Sequence, residues 1–402
     1  ISQWWKEFDE PDLNELVAQA LDNNMDIRQA WSRLERARAN LCIVSSVLYP
    51  QLSLAPSVAY NSVIRRRDDI NTSRVDYILR PTLSYEVDLW KKIDSNVKSA
   101  TLQTLVSWED LESTALVLSG AVTDLWFVIQ EQQALIKLIN YQIEVSMTLL
   151  EIVELRFGIG EASALDVYQQ RLQMEEVKAQ LIPVENRLKT ATYELHVLLG
   201  IPPEQRMCPD LMLEKIALPA FPDLGTPTDL LCRRPDLRAA YFNLESADYD
   251  VAAAVADLFP KLTLDASYLF TADKIENIFN NQIGVIAANI FQPIFDGFRR
   301  RCEVRRREAI VAELLSKFGA VFLNALREVE SAIVTEKSQL MLIAQIDKEI
   351  EISKLYLDEA RLRYSRGLND YLQVINAIQS LQSLQRRVVR ENTILLTNRS
   401  RL

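Results

Sequence analysis

This sequence predicts a mainly α-helical protein with a small β part, on three observations. The chain repeats itself, its long apolar stripes follow a seven-residue period, and short stretches in each half alternate apolar with polar residues. Hydrophobic residues at 49% and charged residues at 25% supply ample core. Only 9 glycines and a single histidine favour long uninterrupted elements over a loop-rich enzyme.

The duplication is read by setting residue n beside n+210. Asp26, Ile27, Arg28, Ala30, Leu34, Glu35, Ala37 and Pro50 then meet Asp236, Leu237, Arg238, Ala240, Leu244, Glu245, Ala247 and Pro260. Further on the offset becomes 207, so that LRFGIGEASAL (Leu155 to Leu165) faces LRYSRGLNDYL (Leu362 to Leu372), with Gly160 on Gly367. The first repeat spans residues 1–200 and the second 228–402. A proline-rich connector at 200–227, without clear period, joins them.

Each half opens with a helical pattern, Leu13 to Leu48 and Thr228 to Phe259, stopped at Pro50 and Pro260. The period then drops to two. Leu52, Leu54, Val58 and Tyr60 oppose Ser53, Ser57 and Asn61, and the second copy sets Leu262, Leu264, Ala266, Tyr268 and Phe270 against Thr263, Asp265, Ser267 and Thr271. A return strand alternates from Val75 to Leu89. Its counterpart near Ile283 to Pro293 alternates poorly and is placed mainly by the internal symmetry. Hairpins are thus expected at 50–89 and 260–294, with strands of about ten to twelve residues.

Long helices follow at 91–157 and 296–364, each with a return helix, at 163–199 and 369–400. Steps of four and three from Leu111 land on a heptad seam through Phe157, broken only at Gln132 and Ser146. The second copy runs from Phe318 to Tyr364. A strict heptad holds one stripe against a partner by left-handed winding, and Met174, Val177, Leu181 and Val184 continue a seam on the return helix, which Pro183 is expected to kink. As one helix, residues 91–157 reach about 100 Å, far beyond a globular diameter.

Four strands cannot close into a barrel alone, and open edges invite pairing. Strands of this length suit the wall of a membrane barrel with lipid outside and water inside, closed by several copies. Soluble half-buried sheets show the same alternation, but here the helical seams are used in pairing with each other. Tyr85 and Trp90 in the first half, and Phe291, Phe295 and Phe298 in the second, gather where strands become helices. That is the placement of an interfacial aromatic belt, or of ordinary core aromatics.

A net charge of -10 argues against a nucleic-acid partner. Cys42, Cys208, Cys232 and Cys302 have no metal-ligand spacing; Cys208 and Cys232 could pair in an oxidising compartment or be unrelated thiols. His196 stands without a catalytic motif, no phosphate loop or nucleophile elbow occurs, and neither catalysis nor a cofactor is expected. No run of 18 wholly apolar residues occurs, so no transmembrane helix is expected. No signal peptide is visible, and N-terminal lipidation cannot be read from these residues. Arginines at 65–67 are assigned to a loop at an outer rim, facing lipopolysaccharide or standing as plain solvated loop charges, and those at 299–301 and 305–307 to the strand-to-helix junction near lipid headgroups.

These residues resemble a known family. NNMDIRQAWSRLERA with RRPDLRAAYFNLESA, YPQLSL with FPKLTL, LLGIPPE, PIFDGFRRR and the two Gly-containing turns are similar to those of the TolC/OprM-type outer-membrane factors, over essentially the whole chain. The resemblance implies a homotrimer. Three copies, each lending four strands, would make a twelve-stranded barrel in the outer membrane of a Gram-negative bacterium, continuous with a twelve-helix α-helical barrel in the periplasm. Such a duct is the exit of a tripartite efflux pump or type I secretion system. It works with a periplasmic adaptor and, through the adaptor, an inner-membrane transporter.

The resemblance also places a constriction at the periplasmic tip. Counted from Gly367, its ring positions correspond to Leu372 and Asn376, with Asp370 nearby. The family often carries a carboxylate where this chain has Asn376, which puts an acidic cation-binding ring there in doubt. Asp166 follows Gly160 by six residues; a carboxylate ring of Asp166 or Asp370 is one reading of the turn position, and a solvated surface charge is the other. The turns at Gly160 and Glu161, and at Gly367 and Leu368, are the implied adaptor contacts. A soluble periplasmic coiled-coil adaptor is the alternative function, although it gives no reason for hairpins duplicated in matched register.

Overall fold

The computed structural model describes residues 3–65, 70–203, 218–219, 221 and 227–401. In chain order the elements are α1 (Pro11–Asn23), α2 (Met25–Ser45), β1 (Gln51–Arg65), β2 (Ile70–Val87), α3 (Lys92–Gly158) and α4 (Ala164–Leu198). The same plan returns as α5 (Pro227–Arg233), α6 (Pro235–Ala256), β3 (Lys261–Ala272), β4 (Gln282–Phe291), α7 (Arg299–Ser365) and α8 (Tyr371–Ser400). α3 and α7 are each 67 residues long. Most of the connector, with Cys208, and Arg66 and Arg67 of the first arginine cluster lie outside the described residues. Cys42, Cys232 and Cys302 are free thiols.

Contacts divide the chain into two units. One gathers Ile1–Gln29, Glu112–Asp229 and Leu323–Leu402; the other gathers Ala30–Leu111 and Leu230–Phe322.

The first unit is a set of paired helices. Every seam position from Leu111 to Val153 is buried or half-buried and only Phe157, at the end, is exposed; in α7 all positions from Phe318 to Tyr364 are covered. Polar breaks in the seam are covered too: Ser146 Oγ donates to Gln142 O at 2.8 Å and Gln339 Nε2 to Glu391 O at 2.9 Å, while Ser353 Oγ is buried without a partner among the described residues. α4 continues through Pro183, whose ring removes the donor that the Ala179 carbonyl would use. Buried Asn24 joins this unit's ends. Its amide donates to Leu198 O at 2.9 Å while its carbonyl accepts from Asp26 N at 2.7 Å and so caps α2.

Gly200, which follows α4, has φ +71, and a Cβ there would sit 2.7 Å from Asn23 O. Gly200→Ala is therefore expected to cost about 2 to 3 kcal/mol. A fall in the thermal midpoint checks it, with Gly120→Ala, where a Cβ meets nothing within 4 Å, as the mild comparison.

The second unit holds the sheet, an antiparallel meander in the order β1-β2-β3-β4. The β2 to β3 pairing joins the two repeats. β1 has 15 residues and β2 has 18, longer than the sequence suggested. Both strands accommodate a proline, Pro56 in β1 and Pro81 in β2. Pro56 lies on the edge strand. Pro81 interrupts the β2 to β3 ladder, where Arg80 and Pro81 have no registered partner on β3.

Neither long helix holds an unbroken apolar run of membrane-crossing length, but each has a stretch of that length interrupted by scattered charges. α3 and α7 each contain an 18-residue window apolar enough by length and composition, with mean hydropathy 1.3 and 1.6. Scattered charges hid these windows from a search for unbroken apolar runs. In α3 the window is 44% buried, in α7 only 6%.

Candidate functional site

Two places carry functional geometry, one in each unit. In the second unit the register sorts the sheet into two chemically distinct faces. Leu52 pairs with Leu83, Leu83 with Ala266 and Ala266 with Ile286, so one face is apolar across all four strands. One row on, Gln51, Ser84 and Asp265 align on the opposite face. There Asp265 accepts from Ser84 Oγ at 2.6 Å and Asn289 Nδ2 at 2.8 Å, and Lys261 pairs with Glu86 at 2.6 Å. The apolar face is uncovered: Leu52 is 76% exposed and Ile286 91%. β1 and β4 pair with no further strand among the described residues. A sheet with one apolar exposed face, one polar face and two open edges is the wall of something larger.

The predicted aromatics cluster at the base of this sheet. Trp90 stacks on Phe259 at 4.8 Å and donates from Nε1 to Pro260 O at 2.8 Å, and Phe295 meets Phe298 edge-on at 6.1 Å. Phe291 and Phe295 are exposed; Tyr85 is half-buried within β2. Lys91 (φ 62) and Phe298 (φ 66) occupy matched positions in left-handed backbone at the two strand-to-helix turns.

In the first unit the α3–α4 and α7–α8 turns are built alike. Glu161 N donates to Arg156 O at 2.8 Å and Gly160 N to Phe157 O at 3.0 Å; Leu368 N donates to Arg363 O at 3.0 Å and Gly367 N to Tyr364 O at 3.0 Å. This double bond closes a helix only with a left-handed residue at its end, and Gly160 (φ 80) and Gly367 (φ 71) supply it. Gly160, Glu161, Gly367 and Leu368 are all exposed.

The entries to the return helices differ. Ser163 and Asp166 form a reciprocal capping box on α4, whereas Asp370 at the start of α8 makes no side-chain cap. Leu372, Asn376 and Asp370 are exposed, while Tyr371, Val374, Ile375 and Ile378 of α8 are buried.

The two turns are tied by contacts the sequence did not disclose. Tyr364 OH donates to Asp166 Oδ2 at 3.2 Å, and the Arg156 guanidinium lies over the Tyr364 ring at 4.9 Å. Next to it Tyr371 OH donates to Gln170 Oε1 at 2.9 Å. Burial and the neighbouring Asp166 push the Tyr364 phenol above its ordinary value, and burial and Tyr364 do the same to Tyr371. Both therefore remain donors up to the alkaline range. A raised folded-state value means that the stability they lend is complete below the ordinary phenol value of 10.0 and is lost as pH rises through the folded one. The signal was present as Tyr364 at the seam's end, but it read as one more apolar position.

An α-helical bundle joined to a sheet of this kind defines the class of outer-membrane channels. Over residues 16–201 and 226–402 the sequence matches the outer membrane efflux protein family; the chain belongs to that family and is an outer-membrane efflux channel that extends into the periplasm. Its relatives include the pyoverdine export outer membrane protein OpmQ of Pseudomonas aeruginosa, 29% identical over 96% of this chain and 82% of that protein. The toluene efflux pump outer membrane protein TtgI of Pseudomonas putida is 28% identical over 96% and 82%. Among solved structures, OprN superposes with a TM-score of 0.92 at 25% identity, covering 100% of this chain and 92% of that one. VceC of Vibrio cholerae gives 0.91 at 22% identity, covering 100% and 97%. The soluble-adaptor alternative is set aside by the family match.

Proposed function

We infer that three copies of this chain form the exit duct of a tripartite efflux assembly or type I secretion system, passing small organic molecules from a periplasmic adaptor to the exterior. The observation that carries the trimer is the sheet: four strands with two open edges and an uncovered apolar face close only with strands from other copies and only in lipid. The apolar window of α7, 6% buried within one chain, supports the same association. Relatives named for pyoverdine export and toluene efflux support organic cargo. No catalytic residue enters this reading; selection is by width and charge.

The duct narrows at the tip, where exposed Leu372 and Asn376, with Asp370, form rings in the trimer, and the exposed turns at Gly160, Glu161, Gly367 and Leu368 meet the adaptor. The Tyr364 to Asp166 contact acts as a latch holding the second turn against the first. Asp166 thus works as a latch and cap acceptor more than as a lumenal charge.

Tyr364→Phe keeps the ring under Arg156 and deletes only the donor. Single-channel conductance in planar lipid is expected to rise severalfold, with Leu372→Ser raising it further through the ring. Unchanged conductance in Tyr364→Phe would remove the latch from this account.

A further inference from the structure

Within the first unit, a cleft of about 480 Å³ opens between α3, α4 and α8 beside Pro183. Its walls combine Ile139, Pro183 and Val184 with neutral polar side chains and with three guanidinium groups, those of Arg187, Arg386 and Arg390. Ile139 and Val184 are buried. Three arginines on one cleft are conspicuous in a chain of net charge -10.

Their partners divide unevenly. Arg187 Nη1 lies 3.4 Å from Glu194 Oε1, and Arg390 and Arg187 both act on Glu131, whose carboxyl is raised by burial and drawn back by these two cations. Among the described residues no carboxylate pairs with Arg386. Half-buried, it donates to the amide oxygen of Gln142, and that amide is already engaged with Gln385 Oε1 at 3.0 Å. Burial, and then the like charge of Arg390, hold Arg386 below its ordinary range.

A guanidinium has five donors in a planar fork matched to a carboxylate or phosphate edge, and Arg386 spends one of them on a neutral acceptor. A partly desolvated cation that feels a like charge is stabilised when an anion enters. Ile139, Pro183 and Val184 on the same cleft give such an anion's body apolar contact, as the arginines give its head a charge. Cavities of a few hundred Å³ in which polar groups converge beside apolar side chains are the usual form of small-molecule sites.

We propose that the Arg386 cleft binds a small organic anion, its carboxylate or comparable oxyanion held by Arg386 and Arg390 and its apolar body against Ile139, Pro183 and Val184. The site is complete within one chain, so it stands or falls apart from the trimer and from the gate. It gives the duct wall a place where anionic organic solutes bind specifically.

The test uses the full chain in lipid nanodiscs, titrated calorimetrically with benzoate, with benzyl alcohol as the same body without charge and with sulfate as charge without the body. Saturable benzoate binding is expected, at least tenfold tighter than either comparison. Arg386→Gln is expected to weaken it at least tenfold and Arg386→Lys less. Arg387→Gln, which removes the same charge from an exposed neighbour paired with Glu391 at 3.6 Å, should leave it unchanged. Arg390→Gln gives a second reading should Arg386→Gln fail to fold. Equal binding of benzyl alcohol would mean an apolar crevice only, and equal binding of sulfate an adventitious ion only. Either overturns the proposal, as does an Arg386→Gln variant that binds benzoate like the parent. No benzoate binding in the parent also overturns it, and dissociation of the oligomer in Arg386→Gln would then assign Arg386 to a neighbouring copy's carboxylate.

Discussion

Ile286→Arg is expected to abolish recovery of the protein in the outer membrane. Ile286 is 91% exposed at the centre of the apolar face of β4, in register with Ala266, Leu83 and Leu52. If that face meets hydrocarbon, a guanidinium near the bilayer midplane costs about 2 to 4 kcal/mol in each copy, and a trimer incurs it three times. The control is Ser57→Arg on β1, one parity away and opposite Ile78 on the polar face. There the new charge enters water, and insertion should be retained with only the ion selectivity of the current altered. Membrane fractionation reads the first outcome and planar-bilayer recording the second. Should the two variants behave alike, the assignment of the faces is wrong.

The second large effect is expected at Glu336. This carboxylate is 1% exposed in the α7 seam and is paired with Arg399 of α8, whose Nε lies 3.0 Å from Glu336 Oε2. Arg399 also donates to Pro219 O and lies over the Phe221 ring at 5.2 Å, so the pair fastens the end of the connector to the helices. Glu336→Ala leaves a buried guanidinium without a counter-charge and should cost about 3 to 5 kcal/mol, read as a fall in the denaturation midpoint. Replacing both, Glu336→Leu with Arg399→Met, should recover most of it, because removing the pair together also removes its desolvation cost. A double variant no better than the single would show that the tie to Pro219, rather than charge balance, sets the stability.

Much of the fold was legible because its physics is periodic. The heptad steps through Val122, Ile129 and Ile139 mark residues that are buried, and the matched offsets of Gly160 and Gly367 mark two turns with identical hydrogen bonds. The strands were legible in parity but not in length, since alternation marks a face while only the cross-strand register shows how far the pairing continues. Pairing of β2 with β3 rests on contacts nearly two hundred residues apart, which no local period encodes.

The two helix-end turns were legible only as locations. Exposed residues such as Leu372 and Asn376 leave no periodic trace, and the Tyr364 to Asp166 contact depends on the mutual position of two helix ends. Gln142, Gln170 and Gln382 fall outside the apolar seam and so left no signal in the period, yet they are buried and hydrogen-bonded between helices. The Arg386 cleft was invisible for the same reason, because Arg187 and Arg386 come from different repeats.

The most direct test of the central claim is the particle mass of the detergent-solubilised protein, corrected for bound detergent, combined with its current in planar lipid. Three chains of 46.0 kDa in one particle that conducts in uniform steps is the predicted result. A single chain that stays dispersed in buffer without detergent and passes no current would contradict it.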